Sequence, residues 1–301
     1  ALTQRALASR LRSSLGSVNA LCAEAKEKGL LTETAASGQQ LTEAGFAYLL
    51  PYRVDGAVIL AAGFGSRFVP LTYERPKGLL KVNGERMIER QLRQLHEVGI
   101  TDITLVVGYL KEAFEYLIDK YGVKLLYNPD YATMNNISSV YRAARLFEGR
   151  NMYLLSSDNW MRENLFHTYE PGSWYAAVHA DGETREWVLH YNKKDLITSV
   201  EIGGRDADVM YGPVYLSRNF SAAPRPERGL SYARQGAVLL GKCVSGFTRR
   251  QKGAAAQCEF TAGRRDLRIR KSRRTPRLRR LLSRPLGQQG HGADCRGAES
   301  P

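Results

Sequence analysis

The stretch Leu60–Leu80 reads LAAGFGSRFVPLTYERPKGLL and begins where the apolar run AVIL ends. Its alanines and glycines carry little or no side chain, so backbone N–H groups can approach an anion closely. Arg67 adds a guanidinium fork that suits phosphate oxygens, and Lys77 adds a flexible cation behind Pro76. The stretch contains neither G-x-G-x-x-G nor the G-K-S/T of a Walker A loop. It predicts another kind of phosphate-binding turn after a buried strand.

The segments around this stretch alternate between strand-like and helix-like patterns. DGAVILAA, ITLVVGY, VKLLYN and NMYLLSSDN are typical of buried strands, and MIERQLRQLHEVGI, KEAFEYLIDKYG and SSVYRAARLF are typical of helices. This order predicts an α/β fold with a mixed, mainly parallel sheet and helices on both faces. Four later segments, YAAVHA, EWVLHYN, ITSVEIG and VMYGPVYLS, predict shorter mixed strands. Ligands on such sheets bind beyond the carboxyl ends of the strands, here the loops GFGSRF, GYLKE and SDNW.

Charge and cysteine are distributed unevenly along the 301 residues. Residues 224–301 hold 19 of the 44 Lys and Arg, 5 of the 30 Asp and Glu, and three of the four cysteines. That tail therefore carries the whole net charge of +14, and the rest of the chain is balanced. We predict three units: a small helical module over 1–52, an α/β domain over 53–223, and the basic tail 224–301.

The first unit shows two helix-period segments, a polar stretch and a closing helix. This order resembles a MarR-like winged helix-turn-helix module, with Ser14–Lys28 in the position of the recognition helix. The resemblance makes DNA a candidate partner, although Glu24 and Glu27 dilute the positive charge of that helix. A plain helical packing module that does not touch DNA is the alternative.

The second unit resembles a family of enzymes. L-A-A-G-x-G-x-R followed by P-K-x-L-L resembles the signature of nucleotidyltransferases that join an NTP to a phosphorylated small molecule, with a nucleotide-diphospho-sugar transferase-like fold. Phe68–Thr72, VVGYLKE and YNPDYATMNNISSVY look like the bacterial phosphocholine cytidylyltransferases. The resemblance implies that CMP is transferred from CTP to phosphocholine, giving CDP-choline and pyrophosphate with the aid of Mg²⁺.

The same resemblance assigns a nucleotide site. Arg67, Lys77 and Asp158 are the expected catalytic residues. The expected nucleotide-binding residues are Leu60, Ala61, Ala62, Gly63, Gly65, Ser66, Arg67, Lys77, Asn135 and Asn136. Asn135 and Asn136 could equally form a capping turn before the helix SSVYRAARLF, because Asn suits such positions.

Asp158 follows the strand NMYLL at the edge of the sheet where ligands bind. A carboxylate there suits Mg²⁺, which prefers a few hard oxygen ligands together with substrate phosphates. Asp158 aligns with the metal-binding aspartate of the family, whereas Ser156 stands where relatives often carry an acidic residue. A bare N-cap role is the alternative for Asp158.

Phosphocholine carries a quaternary ammonium group, which proteins hold with the faces of aromatic rings. Trp187 and Tyr191 in EWVLHYN are the expected acceptor-binding residues, and Trp174 and Tyr211 are further candidates. Because these aromatics lie in strand-like sequence, packing in the core or across strands is the alternative.

The tail departs from the family after Ser221, where an acidic Tyr-Trp-Glu/Asp segment and a closing helix would follow. Codons can be chosen for Leu239–Gly246 and for Asp266–Arg279 that encode these residues in the present reading frame. When the same DNA is read one base later, both segments encode sequence that resembles the family. We therefore hypothesise a change of reading frame between about Ser221 and Leu239, which leaves a disordered tail and removes a second acidic metal ligand. A disordered basic tail that binds RNA or a membrane is the alternative.

Two other functions share these features. A sugar-1-phosphate nucleotidyltransferase would use the same loop, and a winged-helix DNA-binding regulator could use the second unit to sense a nucleotide. No apolar run approaches the roughly 20 residues that span a bilayer, and the N-terminus lacks a signal-peptide pattern. We expect a cytoplasmic location and no membrane partner, and the sequence sets no oligomeric state.

Overall fold

A computed structural model describes residues 3–11, 13–34, 38–134, 136–193, 195–221 and 268–271. The first unit consists of two helices, a hairpin and a third helix: α1 (Gln4–Leu11), α2 (Leu15–Glu27), β1 (Leu31–Thr34), β2 (Gly38–Leu41) and α3 (Glu43–Leu49). Ser14 begins α2 as its N-cap, because its side chain accepts a hydrogen bond from the backbone N–H of Ser17 at 3.0 Å. The order of elements is the one predicted from the sequence. A winged-helix identity and DNA binding stay predictions.

The second unit alternates strands with helices, and its first strand begins at Gly56. Its elements are β3 (Gly56–Ala61), β4 (Lys81–Val82), β5 (Glu85–Arg86), α4 (Met87–Glu97), β6 (Ile103–Val107), α5 (Tyr116–Tyr121), β7 (Lys124–Tyr127), α6 (Asn136–Ala143), β8 (Met152–Ser156), β9 (Trp174–Tyr191), β10 (Ile197–Leu216) and α7 (Arg218–Ser221). One further strand, β11 (Arg268–Lys271), comes from the tail.

The central sheet has the strand order β11-β9-β10-β8-β3-β6-β7. The strands β8, β3, β6 and β7 run parallel to one another, as do β11 and β9, whereas β10 is antiparallel to both β8 and β9. The sheet is therefore mixed and mainly parallel, as predicted. Since β3 lies between two parallel neighbours, its carboxyl end adjoins the carboxyl ends of β6 and β8.

Both faces of the sheet are covered. Side chains alternate along each strand, so Val58 packs in one hydrophobic cluster and its neighbour Ile59 packs in the other. The cluster around Ile59 takes Leu92 from α4 and Leu117 from α5. The other cluster takes Ala143 from α6. Helices on both faces are thus confirmed, and burial on both faces explains why the inner parallel strands β3, β6 and β8 are mostly apolar.

The antiparallel part differs from the prediction. Four shorter strands were expected, and the structure instead has two long ones, β9 and β10, which pair with each other as one hairpin. Gly182 and Gly203 adopt positive φ angles of 75° and 77° within these strands, and the pairing continues on both sides of them. The register also shifts at several points between the strands.

One buried side chain helps to hold the junction between the first two units, together with backbone bonds such as that from the Glu170 N–H to the Tyr52 carbonyl at 2.9 Å. The amide of Asn151, which is 1% exposed, donates to the backbone carbonyls of Pro51 at 2.9 Å and Arg53 at 2.7 Å. Its carbonyl oxygen accepts from the backbone N–H of Arg218 at 2.8 Å. Asn151 therefore ties the chain before β3 and the start of α7 to the beginning of β8.

Most of the predicted tail, 224–267 and 272–301, lies outside the described residues. The exception is β11, whose backbone pairs in parallel with Trp174–Ala177 of β9. For these four residues the structure differs from the expectation of a disordered tail. Within the described ranges, no helix combines the length and the apolar character that crossing a membrane requires.

Candidate active site

The glycine loop leaves the carboxyl end of β3 and folds back on itself. Gly65 has a φ of 66°, and a Cβ at this position would lie 3.0 Å from Thr72 Cγ2 and 3.2 Å from Lys77 Cβ. Thr72, which is buried, donates a hydrogen bond to the carbonyl of Gly65 at 3.1 Å. By contrast, nothing lies within 4 Å of a Cβ placed on Gly63. The loop is therefore tight on the side of Lys77 and open at Gly63.

Lys77 and Asp158, which are 81 residues apart in the sequence, meet at the end of this loop. The Lys77 ammonium donates a hydrogen bond to Asp158 Oδ2 and lies 4.3 Å from the centre of the Phe68 ring. The side chains of Lys77 and Asp158 are 23% and 30% exposed, so solvent and a ligand can reach the pair. The sequence placed both groups at the ligand-binding edge, and the structure brings them into contact.

An open cleft of about 200 Å³ joins these elements. It is lined by Leu60, Ala62, Gly63, Gly65, Ser66, Phe68, Lys77, Ser139, Ser156 and Asp158. Seven of the ten were expected from the sequence to bind nucleotide or metal. Ala61, also expected there, packs in the hydrophobic core under the loop.

Three expected residues lie wholly or partly outside the described structure. Asn135 is not among the described residues. The backbone of Arg67 lies in the short 3₁₀ turn Ser66–Phe68, and Asn136 begins α6, but their side chains fall outside the description. Their proposed contacts with phosphate and nucleotide stay predictions.

Ser139 lines the cleft from α6 and was not expected from the sequence. Its position is set by Asn128, a fully buried residue whose amide donates to the hydroxyls of Ser138 at 2.8 Å and Ser139 at 2.9 Å. Because Ser139 Oγ accepts this bond, its own hydrogen is free to be donated elsewhere. The only signal in the sequence was the Ser-Ser pair after the two asparagines.

The expected acceptor-binding aromatics lie on the β9–β10 hairpin. Trp187 pairs with Ile202 across the two strands, and the Tyr191 hydroxyl donates to Asp208 Oδ2 at 2.5 Å. Neither ring lines the cleft. Of the further candidates, Trp174 is buried against Tyr153 with ring centres 5.9 Å apart, which is a core position. The Tyr211 hydroxyl donates to the carbonyl of Trp160 at 2.9 Å.

Asp158 is the one carboxylate among the residues that line the cleft. Across the described ranges, no cluster of three or more His, Cys, Asp or Glu is arranged to hold a metal ion.

Comparison with known proteins places this site in a family. Residues 57–202 match the model of the MobA-like NTP transferase domain. The choline-phosphate cytidylyltransferase of Streptococcus pneumoniae is 38% identical over 176 residues, which are 58% of this chain and 74% of that enzyme. The chain belongs to this family of NTP transferases. It is accordingly a nucleotidyltransferase, and the family generally uses a divalent metal ion.

Two further relatives extend the comparison. The 2-aminoethylphosphonate cytidylyltransferase of Lancefieldella rimae is 38% identical over 163 residues, 54% of this chain and 66% of that enzyme. The solved structure of CTP:phosphocholine cytidylyltransferase from S. pneumoniae superposes with a TM-score of 0.59 and 28% identity. That superposition covers 76% of this chain and 97% of the other. The matched NTP transferase region includes the glycine loop, Lys77 and Asp158 and ends within β10.

Proposed function

We propose that this nucleotidyltransferase transfers CMP from CTP to phosphocholine and releases pyrophosphate. The observation that carries the proposal is the meeting of Lys77 and Asp158 at a cleft lined by the glycine loop. The 38% identity to a choline-phosphate cytidylyltransferase, over 74% of its length, supports CTP and phosphocholine as the substrates.

The glycine loop and Lys77 would bind the phosphates of CTP. The open space at Gly63 lets a phosphate oxygen approach the backbone of the loop closely. Lys77 is held by Asp158 and has a flexible stem, so its ammonium can turn to the α-phosphate when the nucleotide enters. Arg67, in the 3₁₀ turn Ser66–Phe68 of the same loop, is proposed to bind a neighbouring phosphate oxygen.

The reaction requires no covalent enzyme intermediate. A phosphate oxygen of phosphocholine attacks the α-phosphorus of CTP, in line with the bond that joins the α-phosphorus to the bridging oxygen. The new P–O bond forms as that bond breaks, and the bonding electrons leave with pyrophosphate. Catalysis then consists of positioning the two substrates and of offsetting the negative charge at the α-phosphate. Lys77 and the N–H groups of the loop offset that charge.

We propose Mg²⁺ as the divalent ion and Asp158 as its protein ligand. Mg²⁺ commonly takes one or two carboxylates and completes its shell with water and substrate phosphates. Asp158 offers one carboxylate at the cleft and Ser156 offers a hydroxyl, so the residues present fit an ion that is carried largely by the nucleotide. When bound, Mg²⁺ would neutralise charge on the departing pyrophosphate.

The acceptor is proposed to enter from the side of the β9–β10 hairpin, with Trp187 and Tyr191 facing its ammonium group. The relative that acts on 2-aminoethylphosphonate also takes an acceptor with a phosphorus oxyanion and a nitrogen cation. This shared chemistry favours an aminoalcohol phosphate over a sugar 1-phosphate, which has no cation.

The test is pyrophosphate release by the full chain with each of four NTPs and a panel of acceptors. The panel contains phosphocholine, phosphoethanolamine, 2-aminoethylphosphonate and glucose 1-phosphate. We expect the highest kcat/KM with CTP and phosphocholine, and a large loss in Lys77→Ala. Preference for glucose 1-phosphate would favour the sugar nucleotidyltransferase alternative, and no pyrophosphate from any pair would defeat the proposal.

DNA binding by the first unit is the weaker proposal. The two lysines at the end of α2 are engaged with acidic neighbours, Lys26 with Glu33 and Lys28 with Glu24. Engaged lysines have less charge to offer to DNA phosphates. A gel shift that depends on α2 would support a regulatory role.

We also propose that the chain changes reading frame between about Ser221 and Leu239. The +14 charge confined to 224–301 and the loss of family-like sequence at that point support this origin. If a second acidic metal ligand is lost in this way, turnover by the full chain will be lower than in its relatives. The coding DNA tests the proposal, because the alternative frame must encode a family-like continuation.

A further inference from the structure

Gln91 lies beneath the turn that carries Asp158. Its side chain projects from α4, is fully buried, and donates two hydrogen bonds through Nε2. The acceptors are the backbone carbonyls of Ser156 at 2.9 Å and Asn159 at 2.7 Å. These carbonyls belong to residues on either side of Asp158 in the sequence, so a single amide forms hydrogen bonds with both ends of the turn.

The orientation of this amide is forced by its partners. Both acceptors are carbonyl oxygens, so only the NH₂ end of the side chain can face them. Gln91 Oε1 is buried and, within the described ranges, has no hydrogen-bond partner. A buried oxygen without a hydrogen bond destabilises the fold. If the two donated bonds had no role, an apolar residue at this position of α4 would give a more stable fold.

The helix that carries Gln91 is firmly held. Its apolar face consists of Ile88, Leu92 and Leu95, each fully buried in the main cluster. Close packing leaves such a helix little freedom, so its amide is a fixed point for the turn. The turn is also held from the opposite strand, because the Asn159 side chain donates to the carbonyl of Tyr211 at 2.9 Å.

We infer that Gln91 is a positioning residue for Asp158: its amide fixes the backbone of the turn so that the carboxylate meets Lys77 and the incoming nucleotide. Gln91 itself touches neither substrate nor the reacting atoms. The inference rests on the proposed function only in so far as Asp158 takes part in the transfer; the hold on the turn stands on the geometry alone.

A matched control is present one helical turn further along. Gln94 is also buried, 2% exposed, with an unpartnered Oε1 within the described ranges. Its Nε2 donates to Met161, three residues beyond Asp158, at 3.2 Å. Gln91→Leu and Gln94→Leu therefore remove a buried amide from the same helix face, and only the first releases the Asp158 turn.

We expect Gln91→Leu to lower kcat by about 10- to 100-fold, the range for groups that orient a metal-binding residue. The KM for phosphocholine should change less than about twofold, because the acceptor binds elsewhere. Gln94→Leu should keep kcat within about twofold of the parent chain. Equal kcat in the two variants would overturn the inference.

A second readout does not depend on catalysis. Amide hydrogen exchange over Ser157–Trp160 should be at least about tenfold faster in Gln91→Leu than in Gln94→Leu, because local opening of the turn becomes easier. Equal exchange would overturn the inference even if the chain released no pyrophosphate. If the Gln91→Leu variant exchanges faster but the parent chain has no activity, Gln91 does position the turn and the proposed function is wrong. Failure of the inference and failure of the proposed function therefore give different results.

The pH dependence of Gln91→Glu gives a signature that lost packing would not produce. An ionised glutamate has no donor for the two carbonyls, whereas its protonated form can donate one hydrogen bond. Burial raises the pKa of a carboxyl group, so the ratio of variant to parent activity should rise as the pH falls. The Leu variant should show a flat ratio, and a flat ratio in both variants would count against the inference.

Discussion

Gly78 lies so close to Ser157 that a Cβ on the glycine would sit 2.6 Å from the serine Cβ and 2.7 Å from its Oγ. The two residues are the direct neighbours of Lys77 and Asp158. The close approach of the Gly78 backbone to Ser157 therefore keeps the segments that carry the ammonium and the carboxylate next to each other. A side chain at position 78 would hold the two segments apart.

Gly78→Ala should accordingly reduce kcat/KM for CTP by about tenfold or more, since misplacement by about 1 Å can cost up to a hundredfold. The neighbours are a serine side chain and backbone, so the strain cannot be relieved by a flexible side chain alone. Gly172→Ala is the control, because nothing lies within 4 Å of a Cβ there. Steady-state kinetics with CTP varied checks the prediction, and similar values for the two variants would contradict it.

Trp187→Ala should raise the KM for phosphocholine and leave the KM for CTP nearly unchanged. An aromatic face contributes about 0.5–2 kcal/mol to the binding of a cation, which corresponds to a change of roughly 2- to 30-fold. Ile202→Ala is the matched control, because Ile202 is the cross-strand partner of Trp187 and is 65% exposed. If both variants raise the KM equally, the hairpin rather than the indole ring is responsible.

Glu89→Gln should destabilise the fold in a pH-dependent way. Burial raises the pKa of this carboxyl, but hydrogen bonds from Lys120, Arg86 and Tyr116 outweigh burial and lower the pKa to about 2. The folded-state pKa is below the unfolded value of 4.5, so the stabilisation is present above pH 4.5 and is lost as the pH falls towards 2. At pH 7 the free energy of unfolding should drop by on the order of 3 kcal/mol.

Denaturant unfolding from pH 7 down to about pH 2 measures this effect. The difference between Glu89→Gln and the parent chain should shrink as the pH falls. Glu112→Gln is the control, because the Glu112 side chain is 67% exposed and faces Lys111 at 4.0 Å, and such surface pairs contribute about 0–1 kcal/mol. If the difference in unfolding free energy between Glu89→Gln and the parent chain stays constant across the pH range, the lowered pKa of Glu89 does not stabilise the fold.

The loop and its strand could be predicted because their signals are local. The run AVIL, the small residues after it and the spaced Pro-Lys all lie within Ala57–Lys77. The position of Asp158 followed from one rule, since carboxyl ends of parallel strands meet at one edge. The strand order confirms that rule, because β8 is the direct neighbour of β3.

What could not be predicted depends on long-range contacts. The hold of Gln91 on the Asp158 turn joins residues 65 and 68 positions apart, and in the sequence Gln91 looks like any polar residue of an amphipathic helix. Likewise, the merger of four predicted strands into β9 and β10 depends on pairing across the hairpin, which local propensity does not reveal. Ser139 was missed because its place at the cleft involves a hydrogen bond from Asn128, which the sequence pattern does not reveal.

The most direct test is ³¹P NMR of the full chain with CTP, phosphocholine and Mg²⁺, in parallel with Asp158→Asn. We predict that CDP-choline and pyrophosphate appear in equal amounts with the parent chain, and that the variant forms them at least about a hundredfold more slowly. Absence of both products from the folded parent chain, or equal rates in the two proteins, would contradict the account.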